Sequence, residues 1–139
     1  MSTWMQQEIH HTPDALERAR VQNDGALARI AQRIKEKDTV FFAARGTSGH
    51  AAMYGKYVFE TQLGMPAGLI SPSVCSVLER RVDYSRSVVV GISQSGEAED
   101  VRRVLKSTRK SGAYTVAITN NAASALAASS RFTRAQPPP

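Results

Sequence analysis

Val88-Val89-Val90-Gly91-Ile92-Ser93-Gln94-Ser95-Gly96-Glu97-Ala98-Glu99-Asp100 decides the fold. Its first five residues are an apolar, β-branched run, the signature of a buried strand. The Ser/Gln/Ser/Gly cluster breaks that run. Charged residues follow, with Val101, Val104 and Leu105 at helical spacing. The stretch reads as strand, tight loop, helix. A loop of that kind presents hydroxyls and free backbone N–H groups at a helix N-terminus, where the helix dipole favours an anion. Ser93, Gln94, Ser95 and Gly96 are therefore expected to form half of a phosphate cradle.

The same alternation repeats outward from this stretch. Thr39–Ala44 is a strand running into Arg45-Gly46-Thr47-Ser48-Gly49-His50. The helix that follows offers Ala52, Met53, Tyr57 and Phe59 as apolar surface and stops at Gly64 and Pro66. Ala67–Ile70 is a short strand, followed by a turn at Ser71-Pro72-Ser73 and a short segment to Leu78. The central strand spans Arg86–Ser93 and its helix runs from Glu97 to about Ser111. Tyr114–Thr119 is a fourth strand, Asn120-Asn121 a turn, Ala122–Ala128 a short helix and Ser130–Thr133 an edge strand. Upstream, Pro13 and a capping Asn23 or Asp24 divide residues 1–36 into three short lead-in helices. The expected domains are helices over 1–36, one α/β domain over 37–134 and a disordered Pro-rich tail over 135–139.

Alternating strands and helices with apolar strands imply a parallel sheet covered on both faces, a three-layer sandwich. Right-handed crossovers and one reversal of winding give five strands in the flavodoxin-like order 2-1-3-4-5. In that order strands 1 and 3 are neighbours, and a crevice opens above their carboxyl ends. The two strand exits richest in hydroxyl and glycine, Gly46-Thr47-Ser48 and Ser93-Gln94-Ser95-Gly96, border it together. Ser48, Ser93 and Ser95 hydroxyls, the Gln94 amide and backbone N–H groups suit a dianionic phosphate ester. Arg45 is a possible further ligand, and Glu97 a possible contact to a sugar hydroxyl. The alternative is that these residues are ordinary turn and cap chemistry.

Composition narrows the function classes. At 139 residues, 42% hydrophobic and 22% charged, the chain is globular rather than disordered. A net charge of +6 comes from scattered Arg and Lys without interleaved aromatics, so no nucleic-acid partner is expected. No apolar run is long enough to span a membrane and no basic, apolar leader opens the chain, so a cytoplasmic location with no membrane partner is expected. The single cysteine, Cys75, excludes an internal disulfide. His10 and His11 are adjacent and diverge on a helix, so they are not read as a metal pair. No Gly-Lys-Ser/Thr loop and no Gly-x-Gly-x-x-Gly supports a nucleotide site. Neither a cofactor nor a metal is expected.

Ala44-Arg45-Gly46-Thr47-Ser48, Gly55-Lys56-Tyr57-Val58-Phe59-Glu60, Ser71-Pro72-Ser73 and Gly91-Ile92-Ser93-Gln94-Ser95-Gly96-Glu97 together resemble the sugar isomerase (SIS) domain family. The leading Met5-Gln6-Gln7-Glu8-Ile9-His10 resembles the lead-in helix of the isomerase half of glucosamine-6-phosphate synthase and of related aminosugar-phosphate deaminases. The resemblance implies a ketose or aminosugar 6-phosphate ligand, of the fructose 6-phosphate or glucosamine 6-phosphate class, held at its phosphate by Ser48, Ser93, Gln94 and Ser95. A family threonine that also serves the phosphate is replaced here by Ala98. Family enzymes carry two SIS domains, and their acid/base residues come largely from the second. The resemblance therefore implies a chain truncated to the first domain, with no catalytic residue assigned, and His50 is read as solvent-facing or supporting. It also implies a homodimer or pairing with another SIS chain. A non-catalytic sugar-phosphate sensor and an inactive fragment are the alternative functions.

Overall fold

Helices and strands alternate along the chain, and the strands lie side by side in parallel. The computed structural model describes residues 3–78, 80–130 and 132–135, with the backbone alone at Ser76 and 132–135. The strands are β1 (Thr39–Ala44), β2 (Ala67–Leu69), β3 (Ser87–Ile92), β4 (Tyr114–Thr119) and β5 (Phe132–Ala135). The helices are α1 (Trp4–Ile34), α2 (Thr47–Leu63), α3 (Pro72–Ser76), α4 (Glu99–Lys110) and α5 (Ala125–Ser129). The sheet order is β2-β1-β3-β4-β5, all parallel. The α/β parallel sheet expected from the alternation is present, with β1 beside β3. The edge strand starts two residues later than expected. Ala135, read as tail, is its last residue, and the rest of the expected tail, Gln136–Pro139, lies outside the described residues.

Strand alternation divides the core in two. Val40, Phe42, Val88, Val90 and Val116 face one side, where Ile30 of α1 and Ala52 of α2 cover them. Ala43, Val89 and Ala117 face the other, where Val101, Val104 and Leu105 of α4 and Leu126 of α5 cover them. Gly91 lets α4 sit close to the sheet: a Cβ there would lie 2.9 Å from Leu105 Cδ1. Because α2 and α4 pack on opposite faces, the connections from β1 and β3 leave in opposite directions. Register sets Ala44 beside Ile92, and Ile92 beside Ile118. The exits of β1, β3 and β4 are therefore level at one edge of the sheet, the arrangement that opens a ligand crevice in doubly wound folds.

Two expectations fail in the helices. Residues 4–34 form one helix rather than three, with Pro13 inside it. A proline in a helix interior costs about 3 kcal/mol, but this turn is open to water, which can serve the carbonyl of Ile9. Asn23 is not a cap; it is 7% exposed and its Nδ2 donates to the Ala19 carbonyl at 2.6 Å. In α2, Met53 and Tyr57 do not pack on the sheet and are 57% and 66% exposed. The covering face is Ala52, Gly55 and Phe59, with the Phe59 ring edge-on to Phe42 at 5.8 Å. Helical spacing allowed either face, and the fit of Gly55 under Phe42 selects this one.

Candidate functional site

The loop leaving β3 is shaped by its own hydroxyls. Gly96 N–H donates to both the carbonyl and the Oγ of Ser93, each at 3.2 Å. Glu97 N–H donates to Ser95 Oγ at 3.3 Å. The exit of β4 clamps the loop from the side: Asn120 N–H and Thr119 Oγ1 both donate to the Gln94 carbonyl, at 3.0 and 3.2 Å. Leu126 N–H donates to the Gly96 carbonyl at 3.2 Å. Gly96 takes φ +76°, and a Cβ there would stand 2.1 Å from Ser124 Oγ and 2.9 Å from Thr119 Oγ1. Only glycine meets both demands without displacement. Ser93 is buried, while Gln94 and Ser95 are exposed. Among the described residues, neither the Gln94 nor the Ser95 backbone N–H has a partner.

On the neighbouring strand, Gly46 is the N-cap of α2 at φ +53°, with no side chain capping the helix. Thr47 and Ser48, read as loop, are the helix's first turn, and Ser48 is half-buried. α4 likewise begins at Ala98 with no side-chain cap. The five-residue α3 also lacks a side-chain cap, whereas Thr3 caps α1 in a capping box and Ser124 caps α5. Two uncapped helix N-termini thus stand at the exits of adjacent strands, each with orphan N–H groups and a positive dipole end. That combination can hold an anion.

The acidic residues at the start of α4 are drawn off by arginines. Glu99 accepts from Arg102 and Arg103, which hold its carboxyl below the usual value. Asp100 Oδ2 pairs with Arg45 Nε at 3.3 Å, so Arg45 is engaged with α4. Glu97 lines a cleft of about 610 Å³ with Gln94, Ser95, Asn120 and Asn121. Ser48, Ser93, Gly46 and Thr47 do not line that cleft. Local sequence gives Asn120 and Asn121 only as a turn. Their position opposite Gln94 depends on the β3–β4 register, which no local motif encodes. His50 is exposed. No cluster of three or more His, Cys, Asp or Glu able to hold a metal occurs among the described residues. No described helix is long and apolar enough to cross a membrane.

Comparisons with known proteins converge on one family. The family model described as "SIS domain" matches residues 33–137. Glutamine–fructose-6-phosphate aminotransferase (isomerizing) of Methanothermobacter thermautotrophicus is 36% identical over 117 residues, covering 84% of this chain and 19% of that protein. The enzyme of the same name from Aquifex aeolicus is 35% identical over 135 residues, covering 93% and 22%. Among solved structures, a candidate phosphosugar isomerase from Silicibacter pomeroyi superposes with a TM-score of 0.89 at 35% identity, over 93% of this chain and 40% of that one. The C-terminal domain of glucosamine-fructose-6-phosphate aminotransferase from Francisella tularensis gives 0.81 at 26% identity, over 98% and 40%. The chain spans about a fifth of the curated relatives it matches. A doubly wound sheet with paired hydroxyl- and glycine-rich exits, matched over most of its length by one family model, makes this chain a member of the SIS domain family.

Proposed function

We propose that this chain binds a sugar phosphate of the fructose 6-phosphate or glucosamine 6-phosphate class. Gly46, Thr47 and Ser48 from one exit and Ser93, Gln94, Ser95 and Gly96 from the other receive the phosphate. The observation carrying this reading is the pair of uncapped N-termini, α2 and α4, at the ends of adjacent strands. A phosphate dianion supplies acceptors to orphan N–H groups that no side chain among the described residues serves. Relatives and structural neighbours named for phosphosugar chemistry support the ligand class. The residues of the two exits supply binding, and none of them is assigned as a base. Moving a proton between C1 and C2 needs a positioned base, and the family resemblance puts that base in a second SIS domain.

A homodimer, or pairing with another SIS chain, fits the same reading. Trp4, Met5, Ile9 and Leu16 on α1 and Met53, Tyr54 and Tyr57 on α2 are large apolar groups left exposed. A cytoplasmic location agrees with a phosphorylated metabolite and with the free thiol of Cys75.

The test is thermal denaturation with fructose 6-phosphate, glucosamine 6-phosphate or sodium chloride at matched ionic strength. A rise in melting temperature with the sugar phosphates, lost in the Ser93→Ala/Ser95→Ala double variant, supports the reading. No rise at millimolar ligand overturns it.

A further inference from the structure

α1 is 31 residues long, about 46 Å at 1.5 Å per residue, whereas a six-residue strand spans about 20 Å. Half of the helix must overhang the sheet. Ile30 packs against Val40, Val88 and Val116, and Arg33 lies beside Tyr114 at the start of β4. The C-terminal half is therefore held at the amino edge of the strands. The overhanging N-terminal half projects past the carboxyl edge, beside the β3 and β4 exits. There a cleft of about 320 Å³ is lined by Glu8, His11, Thr12, Leu16 and Arg18 on one side and by Gln94 and Asn120 on the other. Gln94 and Asn120 also line the larger cleft that contains Ser95, so the two spaces share a wall.

The two clefts differ in chemistry. The larger one adjoins the α4 N-terminus and the Ser95 hydroxyl, groups suited to an anion. In the smaller one the charge of Glu8 offsets that of Arg18. It presents a carboxylate, an imidazole, a hydroxyl, a guanidinium and two primary amides around the apolar Leu16. A mixed set of donors and acceptors with little net charge suits a neutral polyol, whose hydroxyls both donate and accept. Its volume lies in the ~300–1,000 Å³ range of small-molecule sites. Among the described residues, Glu8, His11 and Arg18 form no ion pair.

The geometry points to α1 as the wall that reads the carbohydrate: Glu8, His11 and Arg18 contact the sugar hydroxyls of a ligand whose phosphate sits at the β3 exit. This inference rests on the sugar-phosphate reading above and extends it to specificity. It also depends on α1 remaining one helix through Pro13, because a break there would detach Glu8 and His11 from the cleft.

Isothermal titration of the full chain with fructose 6-phosphate and, separately, inorganic phosphate tests it. Glu8→Gln and His11→Ala are compared with the unaltered protein, and circular dichroism reports helix content. The expected result is about tenfold weaker binding of fructose 6-phosphate in each variant, with inorganic phosphate unchanged and helix content retained. Equal weakening of both ligands would overturn the inference, because the variants would then act through the phosphate loop. Unchanged fructose 6-phosphate binding in both variants would also overturn it while leaving the sugar-phosphate reading intact. Failure of the unaltered protein to bind either ligand would remove both.

Discussion

Arg45 Nε lies 3.3 Å from Asp100 Oδ2, so the residue that ends the β1 exit is tied to the first turn of α4. Asp100 is mostly enclosed at 20% side-chain exposure, and its Oδ1 is buried without a partner. Arg45 is 69% exposed, so the pair contributes under ~1 kcal/mol to stability. Its larger effect is on the site: Asp100 sets a negative charge in the first turn of α4, where the phosphate is proposed, and engages the Arg45 guanidinium. Asp100→Asn should tighten sugar-phosphate binding about fivefold, the equivalent of ~1 kcal/mol. Calorimetric titration reads this directly, and weaker binding would mean that Asp100 positions the loop.

Ser93 and Ser95 should separate by burial. Ser93→Ala removes a buried acceptor of the Gly96 N–H, so urea unfolding should register a loss of about 1 kcal/mol. Ser95 is exposed, so Ser95→Ala should leave stability within about 0.5 kcal/mol and weaken ligand binding only.

Gly96→Ala should destabilise the chain by about 2–4 kcal/mol, combining a left-handed backbone with a Cβ driven into Ser124 and Thr119. Ser124→Gly in the same background should recover part of that loss by clearing the nearer obstruction. Equilibrium unfolding of the single and double variants measures both.

Leu105 is fully buried against the sheet at Gly91. Leu105→Ala should cost about 2–5 kcal/mol through lost burial and the cavity left behind. Met53→Ala, on the exposed face of α2, should stay within about 0.5 kcal/mol in the same assay.

Asp38 accepts from Arg86 Nε, and that bond holds its carboxyl below the ordinary value of 3.8. A depressed folded-state pKa contributes stability above the unfolded value and loses it as pH falls through the folded one. Stability should therefore decline below about pH 4, less steeply in Asp38→Asn. Added salt should shrink the difference, since both groups are exposed. Unfolding midpoints between pH 5 and pH 2.5 at two salt concentrations check the sign.

The strands were legible because β-branched runs such as Val88-Val89-Val90 and Val40-Phe41-Phe42 bury themselves wherever they fall. The Ser-Gln-Ser-Gly and Gly-Thr-Ser exits were legible because their residue types are local. What local chemistry did not decide was α1. Pro13 and Asn23 carry helix-breaking and capping signals, and both were overridden by a helix anchored through Ala19, Asn23 and Ile30. The same holds for the face that α2 presents, chosen by the fit of Gly55 under Phe42 rather than by the hydrophobicity of Met53 and Tyr57. The sequence by itself determined the alternating parallel architecture and the chemistry of each strand exit, because periodicity and turn composition act over a few residues. Only the tertiary structure decided that Asn120 faces Gln94, that Asp100 engages Arg45, and that Glu8 and His11 line a cleft with Gln94 and Asn120. Those pairings come from strand register and helix packing, energies summed over the whole sheet that no short stretch contains.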